Sequence, residues 1–212
     1  AFFDMDHTVL RIDTSASWMR FLQRRGELSP LLAVRAMWWT VQYKLALLDL
    51  DALADRLVAD LRGDAEADMI AKVEEWHRVD VSKGVTAAAV RAIRRHRRGG
   101  DEVVLLTGSS QYAARGVAEM LGIEHVLSTQ FEVRDGLFTG RLAQRCFGRH
   151  KVDVAERWAS EHDADLDDAV FYSDSFNDLP MLSRVGRPVA VNPDVRLRRH
   201  AAACGWSVEN WT

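Results

Sequence analysis

The chain has 212 residues, 48% hydrophobic and 28% charged, with a formal net charge of −3. This composition excludes a disordered, collagen-like or disulfide-scaffolded chain, and the near balance of charge argues against nucleic acid as the main partner. The length suits one α/β domain with a modest insertion and a substantial core.

Residues 1–3 are a short apolar run, read as a buried central strand that ends at Asp4. The run leads straight into carboxylates, so no secretory leader is expected. From Thr14 to about Asp80, apolar residues recur at helical spacing. They run through Trp18, Phe21 and Leu22, then Leu31, Val34 and Trp38, then Leu53, Leu57 and Leu61, then Ile70, Val73 and Trp76. Ser29-Pro30 resembles a helix start, and Gly63-Asp64 marks a break. Residues 33–50 are apolar but carry Arg35, Lys44 and Asp49, which argues against a membrane span.

After Gly84 the rhythm changes. The pattern predicts a helix over 85–98, a strand over 102–106, a helix over 111–121 and a hairpin over 132–140 centred on Asp135-Gly136. A helix over 150–162, a strand over 169–172, a short helix over 179–185 and a strand over 188–191 follow. Strands alternating with helices predict an α/β fold, a doubly wound parallel sheet, here interrupted early by a helical insertion. Ligands of such sheets bind beyond the carboxyl ends of the strands.

The chemistry-bearing residues fall there. Asp4 and Asp6 follow the first strand, and like charges so close call for a cation or a shared proton. A hard cation such as Mg²⁺ takes one or two carboxylates together with water and phosphate. The bland alternative is a solvated turn or a helix cap. A second acidic cluster, Ser173-Asp174-Ser175-Phe176-Asn177-Asp178, also follows an apolar strand, which capping explains less easily. Thr107-Gly108-Ser109-Ser110 closes a third strand and opens a helix, a turn whose backbone N–H groups suit phosphate, although alone it reads as an ordinary turn. Lys151 could offset the charge of phosphate and carboxylates.

Taken together, these four segments resemble the haloacid dehalogenase-like phosphatases, and most of all their subfamily IB, which includes phosphoserine phosphatase-like hydrolases. The resemblance runs from Asp4 to about Pro193. It implies a core domain of residues 1–13 and 81–212, with residues 14–80 as a helical C1-type cap. It implies Asp4 as the nucleophile that becomes an aspartyl phosphate, and Asp6 as general acid and then base. Thr107, Gly108 and Ser109 would hold phosphate oxygens, and Lys151 would steady nucleophile and phosphate. Mg²⁺ would be held by Asp4, Asp174 and the Asp6 carbonyl, with Asp178 supporting the metal shell and Asn177 nearby. Asp13 stands where phosphoserine phosphatases carry a Glu that contacts the substrate amine, one methylene longer. Those enzymes also tend to have Gly where Ser109, Ser173 and Ser175 stand, so phosphoserine is a candidate substrate and not a conclusion. The acid at Asp6 favours phosphate transfer over carbon–halogen cleavage.

The expectation is therefore a phosphatase acting on a small phosphomonoester such as an amino-alcohol or amino-acid phosphate. Alternatives are a phosphotransferase, a non-catalytic phosphate-binding module, and a lipid phosphate phosphatase meeting a lipid surface through Met37-Trp38-Trp39-Thr40-Val41. Trp18, Trp38, Trp39, Tyr43 and Trp76 otherwise read as packing residues. The basic run Arg91, Arg94, Arg95, His96, Arg97 and Arg98 reads as solvated charge at a helix C-terminus rather than a nucleic-acid patch. Cys146 and Cys204 lack the second ligand pair of a zinc site, so free thiols in a reducing cytoplasm are expected. Oligomeric state has no signature in the sequence.

Overall fold

Phe2–Phe3 (β1) is the shortest strand, yet it sits in the middle of the sheet, hydrogen-bonded on both sides. The computed structural model describes residues 1–27 and 50–211. In it, β1 lies between Val104–Ser110 (β2) and Val170–Ser173 (β5), with Phe2 opposite both Val104 and Phe171. His125–Arg134 (β3) and Leu137–Gln144 (β4) extend one side, and Arg187–Val191 (β6) and Ser207–Glu209 (β7) the other, in the order β4-β3-β2-β1-β5-β6-β7. Neighbours are parallel except at the β3–β4 hairpin, which turns at Asp135-Gly136 as the sequence predicts.

Successive strand residues face opposite sides. Phe3, Leu105 and Tyr172 therefore join one core, and Phe2, Leu106 and Phe171 the other. Each fully buried Phe contributes roughly 1.5–3 kcal/mol of apolar burial. Thr14–Arg24 (α1), Glu66–Val79 (α3), Ala87–Arg98 (α4) and Gln111–Leu121 (α5) bury residues in the first core, among them Phe21, Trp76, Ile93 and Val117. His150–Glu161 (α6), Leu179–Arg184 (α7) and Val195–Cys204 (α8) cover the second face through Val154, Trp158, Met181 and Leu197. Leu50–Ala59 (α2) lies in the helical insertion.

The insertion is helical through α1, α2 and α3, as its spacing predicts, and α3 lies close on the core. A Cβ at Gly116 of α5 would stand 2.5 Å from the His77 ring, so that glycine is the space α3 occupies. Trp76 and Trp18 pack edge to face, and Trp76 Nε1 donates to Ser17 Oγ at 3.0 Å, which places both in packing roles. The expected helix start at Ser29-Pro30, and the lipid-facing reading of Met37 to Val41, lie outside the described residues. Among the described residues, no helix is long and apolar enough to cross a membrane.

The basic run departs from its expectation only at His96. His96 is buried, its Nδ1 2.6 Å from Asp101 and its Nε2 2.9 Å from the Tyr172 hydroxyl, which also accepts from Arg95 at 2.9 Å. Arg97 donates to the carbonyls of Leu121 and Gly122. These three residues tie α4 to β5 and to the end of α5, while Arg91, Arg94, Arg95, Arg97 and Arg98 are exposed at the helix end as the sequence predicts.

The loop before β6 contains one further constraint. Gly186 N donates to Leu166 O at 3.0 Å, and a Cβ at Gly186 would fall 1.7 Å from the Asp167 carbonyl oxygen. Backbone must move to admit any side chain. Gly186→Ala is expected to destabilise the protein by about 1–3 kcal/mol, read as a lower urea midpoint at unchanged slope. An unchanged midpoint would refute this tight packing.

Candidate active site

Three strand ends, those of β1, β2 and β5, converge with the start of α6. Asp4 N donates to Tyr172 O at 2.9 Å, which carries the β1–β5 ladder one residue beyond the strand. The chain then coils through a wide turn over Met5–Val9, broken by the extended backbone of Asp6 (ψ 137) and the positive φ of His7 (54°). Leu10 N reaches Met5 O at 2.8 Å and Thr86 N reaches Val9 O at 3.1 Å, so the loop is pinned at both ends. The turn sends the Asp4 and Asp6 side chains to different partners.

Asp4 is buried and meets Lys151, whose Nζ donates to Asp4 Oδ1 at 2.7 Å and to Asp178 Oδ2 at 2.7 Å. Asp178 Oδ2 also accepts from Ser173 Oγ at 2.7 Å. Lys151 is 2% exposed, so this ammonium exchanges little with solvent. Asp6 is held separately. Its Oδ1 accepts from Thr14 N at 2.8 Å, and its Oδ2 accepts from Thr14 Oγ1 at 2.9 Å and Ser109 Oγ at 3.1 Å. Thr14 is the first residue of α1, so the proposed acid is tied directly to the helical insertion.

The last residues of β2, Thr107 to Ser110, form a small-residue wall that the sequence reads as a turn. Thr107 is buried and its hydroxyl oxygen accepts from Ser109 N at 3.1 Å. Thr129 Oγ1 donates to Gly108 O at 2.8 Å, and a Cβ at Gly108 would stand 3.2 Å from Phe147 Cβ. A side chain at 108 would therefore crowd the loop that leads to Lys151. Ser110 caps α5 by accepting from Ala113 N.

Asp174 follows β5 and points among these groups. Its carbonyl accepts from Asp194 N at 2.9 Å, while its carboxylate makes no hydrogen bond or ion pair with another described residue. Asp13 and Asn177 stand at the margin. Asp13 is exposed, caps α1 by accepting from Ala16 N at 2.7 Å, and its other oxygen lies 4.0 Å from His7 Nε2. Asn177 N donates to Ser175 Oγ at 3.2 Å. The structure thus brings together Asp4, Asp6, Thr107, Gly108, Ser109, Lys151, Asp174 and Asp178. Sequence reasoning did not assign Thr14 or Ser173 a partner role. A hydroxyl opening a helix beside a carboxylate, and a serine ending a strand five residues before an aspartate, were the available signals.

Crowding shows in the ionisation of the carboxyls. Burial, then repulsion from Asp178 and Asp6, pushes Asp4 up to about 7 against the pull of Lys151. Burial also raises Asp6, opposed by the Thr14 and Ser109 hydrogen bonds. Asp174 goes up to about 8, first by burial and then by Asp4 and Asp178. Burial pulls on the Lys151 ammonium in the opposite sense, but Asp178 and Asp4 outweigh it and hold the proton. Four carboxyls around one ammonium leave room for a further cation. Among the described residues no three His, Cys, Asp or Glu side chains form a metal cage. Asp4 and Asp174 could offer one or two carboxylates to a cation, and so few protein ligands suit a hard, hydrated ion such as Mg²⁺ better than zinc.

A family model for haloacid dehalogenase-like hydrolases matches residues 1–183. A phosphoserine phosphatase of Mycobacterium tuberculosis is 31% identical over 100% of this chain and 70% of its own length. A histidinol-phosphatase of Neisseria meningitidis is 28% identical over 100% of this chain and 98% of its own. A crystal structure of a protein of unknown function from Bordetella pertussis superposes with a TM-score of 0.89 at 32% identity, covering 98% and 96% of the two chains.

The Asp174 carboxyl supplies a stability test. Its folded value of about 8 lies above the ordinary 3.8, so its contribution favours the fold at low pH and is lost as pH rises from about 4 through about 8. In EDTA, Asp174→Asn is therefore expected to gain melting temperature relative to the parent across that range, with the larger gain at the alkaline end. A difference independent of pH would show that Asp174 ionises freely.

Proposed function

The chain belongs to the haloacid dehalogenase-like hydrolases and is a phosphatase, a phosphomonoester hydrolase; from that premise we propose that it works through an aspartyl phosphate on Asp4, with Mg²⁺, on a small amino-bearing phosphate ester. The observation that carries this reading is the pair of separately held carboxylates, Asp4 on Lys151 and Asp6 on Thr14 and Ser109.

The two environments suit two tasks. A nucleophile must be ionised, and Lys151 stabilises the Asp4 anion while leaving Oδ2 as the attacking oxygen. Asp4 attacks phosphorus, and the bond from phosphorus to the alcohol oxygen breaks. Burial raises Asp6 so that it can hold the proton that the departing alkoxide takes. Water then attacks the phosphoryl group on Asp4, Asp6 accepts its proton, and inorganic phosphate leaves. The N–H groups of Gly108 and Ser109, with the Thr107 hydroxyl, receive the phosphoryl oxygens. Mg²⁺, held by Asp4, Asp174 and the Asp6 carbonyl, would offset the repulsion between nucleophile and phosphate. Asp178 supports this shell by fixing Lys151.

The helices of residues 14–80 serve as the cap that excludes water and selects the alcohol. Asp13 caps α1 through one oxygen, and its other oxygen is the group we assign to a substrate amine. The names phosphoserine phosphatase and histidinol-phosphatase both denote phosphate esters of small alcohols that carry an amine.

The test is phosphate release from phosphoserine, histidinol phosphate and amine-free aliphatic monoesters, with Mg²⁺ or EDTA. Release is expected with Mg²⁺, with preference for the amine-bearing esters. Asp4→Asn is expected to lower turnover by roughly 10³-fold or more, and substantial residual turnover would dismiss Asp4 as nucleophile. Asp6→Asn is expected to lose on the order of 10²–10⁴-fold, least for a good leaving group such as 4-nitrophenol, which needs little protonation. An equal loss for every leaving group would remove the acid role from Asp6.

A further inference from the structure

A cavity of about 230 Å³ opens away from the cleft, lined by Arg62, Glu132, Arg134, Thr139 and Arg141. Its walls are the segment after α2 and the β3–β4 hairpin. Backbone bonds fix the two to each other: Gly63 N to Phe138 O at 2.9 Å, Phe138 N to Asp64 O at 3.0 Å, and Glu66 N to Gly136 O at 2.9 Å. Gly140, at φ +77°, lets the Arg62 stem lie against β4. A Cβ there would stand 3.0 Å from Arg62 Cβ and 3.1 Å from its Nε. Arg62 is exposed, but its stem rests against Gly140, which places its start on β4.

Charge in this cavity is unbalanced. Glu132 accepts from the Thr139 hydroxyl at 2.5 Å and lies 3.6 Å from Arg134. Arg62 and Arg141 have no carboxylate partner among the described residues. Three guanidiniums against one carboxylate leave two positive charges uncompensated around one concave space. Guanidinium forks match carboxylate and phosphate oxygens in pairs, and concave cationic surfaces concentrate anions.

We propose that this cavity is an anion site, separate from the catalytic cleft, that takes a compact dianionic group, phosphate or dicarboxylate. Arg62 and Arg141 grip it, and Arg134 closes the third side beside Glu132, which Thr139 holds. Occupancy bridges the end of α2 to the hairpin, and so ties the helical insertion to the edge of the sheet.

The experiment titrates inorganic phosphate and succinate separately into the whole isotope-labelled chain in EDTA, at constant ionic strength, and follows backbone amide resonances. Saturable shifts are expected at Arg62, Gly63, Arg134 and residues 139–141 at millimolar ligand. They should persist in Asp4→Asn and weaken roughly tenfold or more in Arg62→Gln/Arg141→Gln. The double variant's remaining amides, unchanged, certify its fold. Shifts with both ligands establish a general dianion site, and shifts with phosphate or succinate alone name the class it prefers. Absence of saturable shifts with either ligand, or shifts undiminished in the double variant, would overturn the proposal.

Discussion

A single ammonium buried between two carboxylates organises this molecule's active end. Lys151 reaches Asp4 on one side and Asp178 on the other, both at 2.7 Å, and almost no water reaches it. A buried charge is tolerated only when its partners compensate it, and removing one partner of such a set costs about 3–5 kcal/mol. The three residues come from β1, α6 and the turn after β5. Each can occupy its place only if the other two are in theirs, so electrostatic necessity enforces the convergence of those elements.

The second carboxylate depends on a different mechanism. Asp6 is held by neutral donors, two from Thr14 and one from Ser109. These hydrogen bonds fix direction and favour the anion while burial favours the proton, an opposition that suits a group able to gain and lose one. Thr14 also begins the helical insertion. A displacement of α1 would change the aim of Asp6, whereas Asp4, anchored on Lys151, would keep its position. The fold thus separates a carboxylate fixed by a buried ion pair from one whose alignment follows the helical insertion.

Most of the architecture was legible because its signals are local. Buried parallel strands are continuous apolar runs, and EVVLL over 102–106 and the run ending at Tyr172 declare themselves. The acidic pairs, the small-residue turn and Lys151 were legible because they fall at strand ends in a fixed order. Other features were not readable. β3 extends from His125 to Arg134 and pairs with β2 before it turns into the hairpin, but Ser128, Thr129 and Gln130 interrupt its apolar pattern. β7 is three residues long and owes its place to pairing with β6. Nothing local distinguishes Arg95 and His96 from solvated helix-end charges, because their partner, Tyr172, is a strand residue far along the chain. The role of Thr14 was hidden for the same reason: contacts across sequence distance leave no periodicity.

The brevity of β1 has a consequence for how the protein acquires its activity. Two residues cannot hold themselves in a sheet, and their partners are Val104 and Leu105 on one side and Phe171 and Tyr172 on the other. Chains dominated by such distant pairings fold slowly, because loop entropy is lost before the contacts form. Asp4, which continues the β1–β5 ladder, therefore gains its backbone partner only once β5 is in place. The Asp4–Lys151 contact likewise waits on α6, so this end of the sheet is complete only when segments 147 residues apart have met.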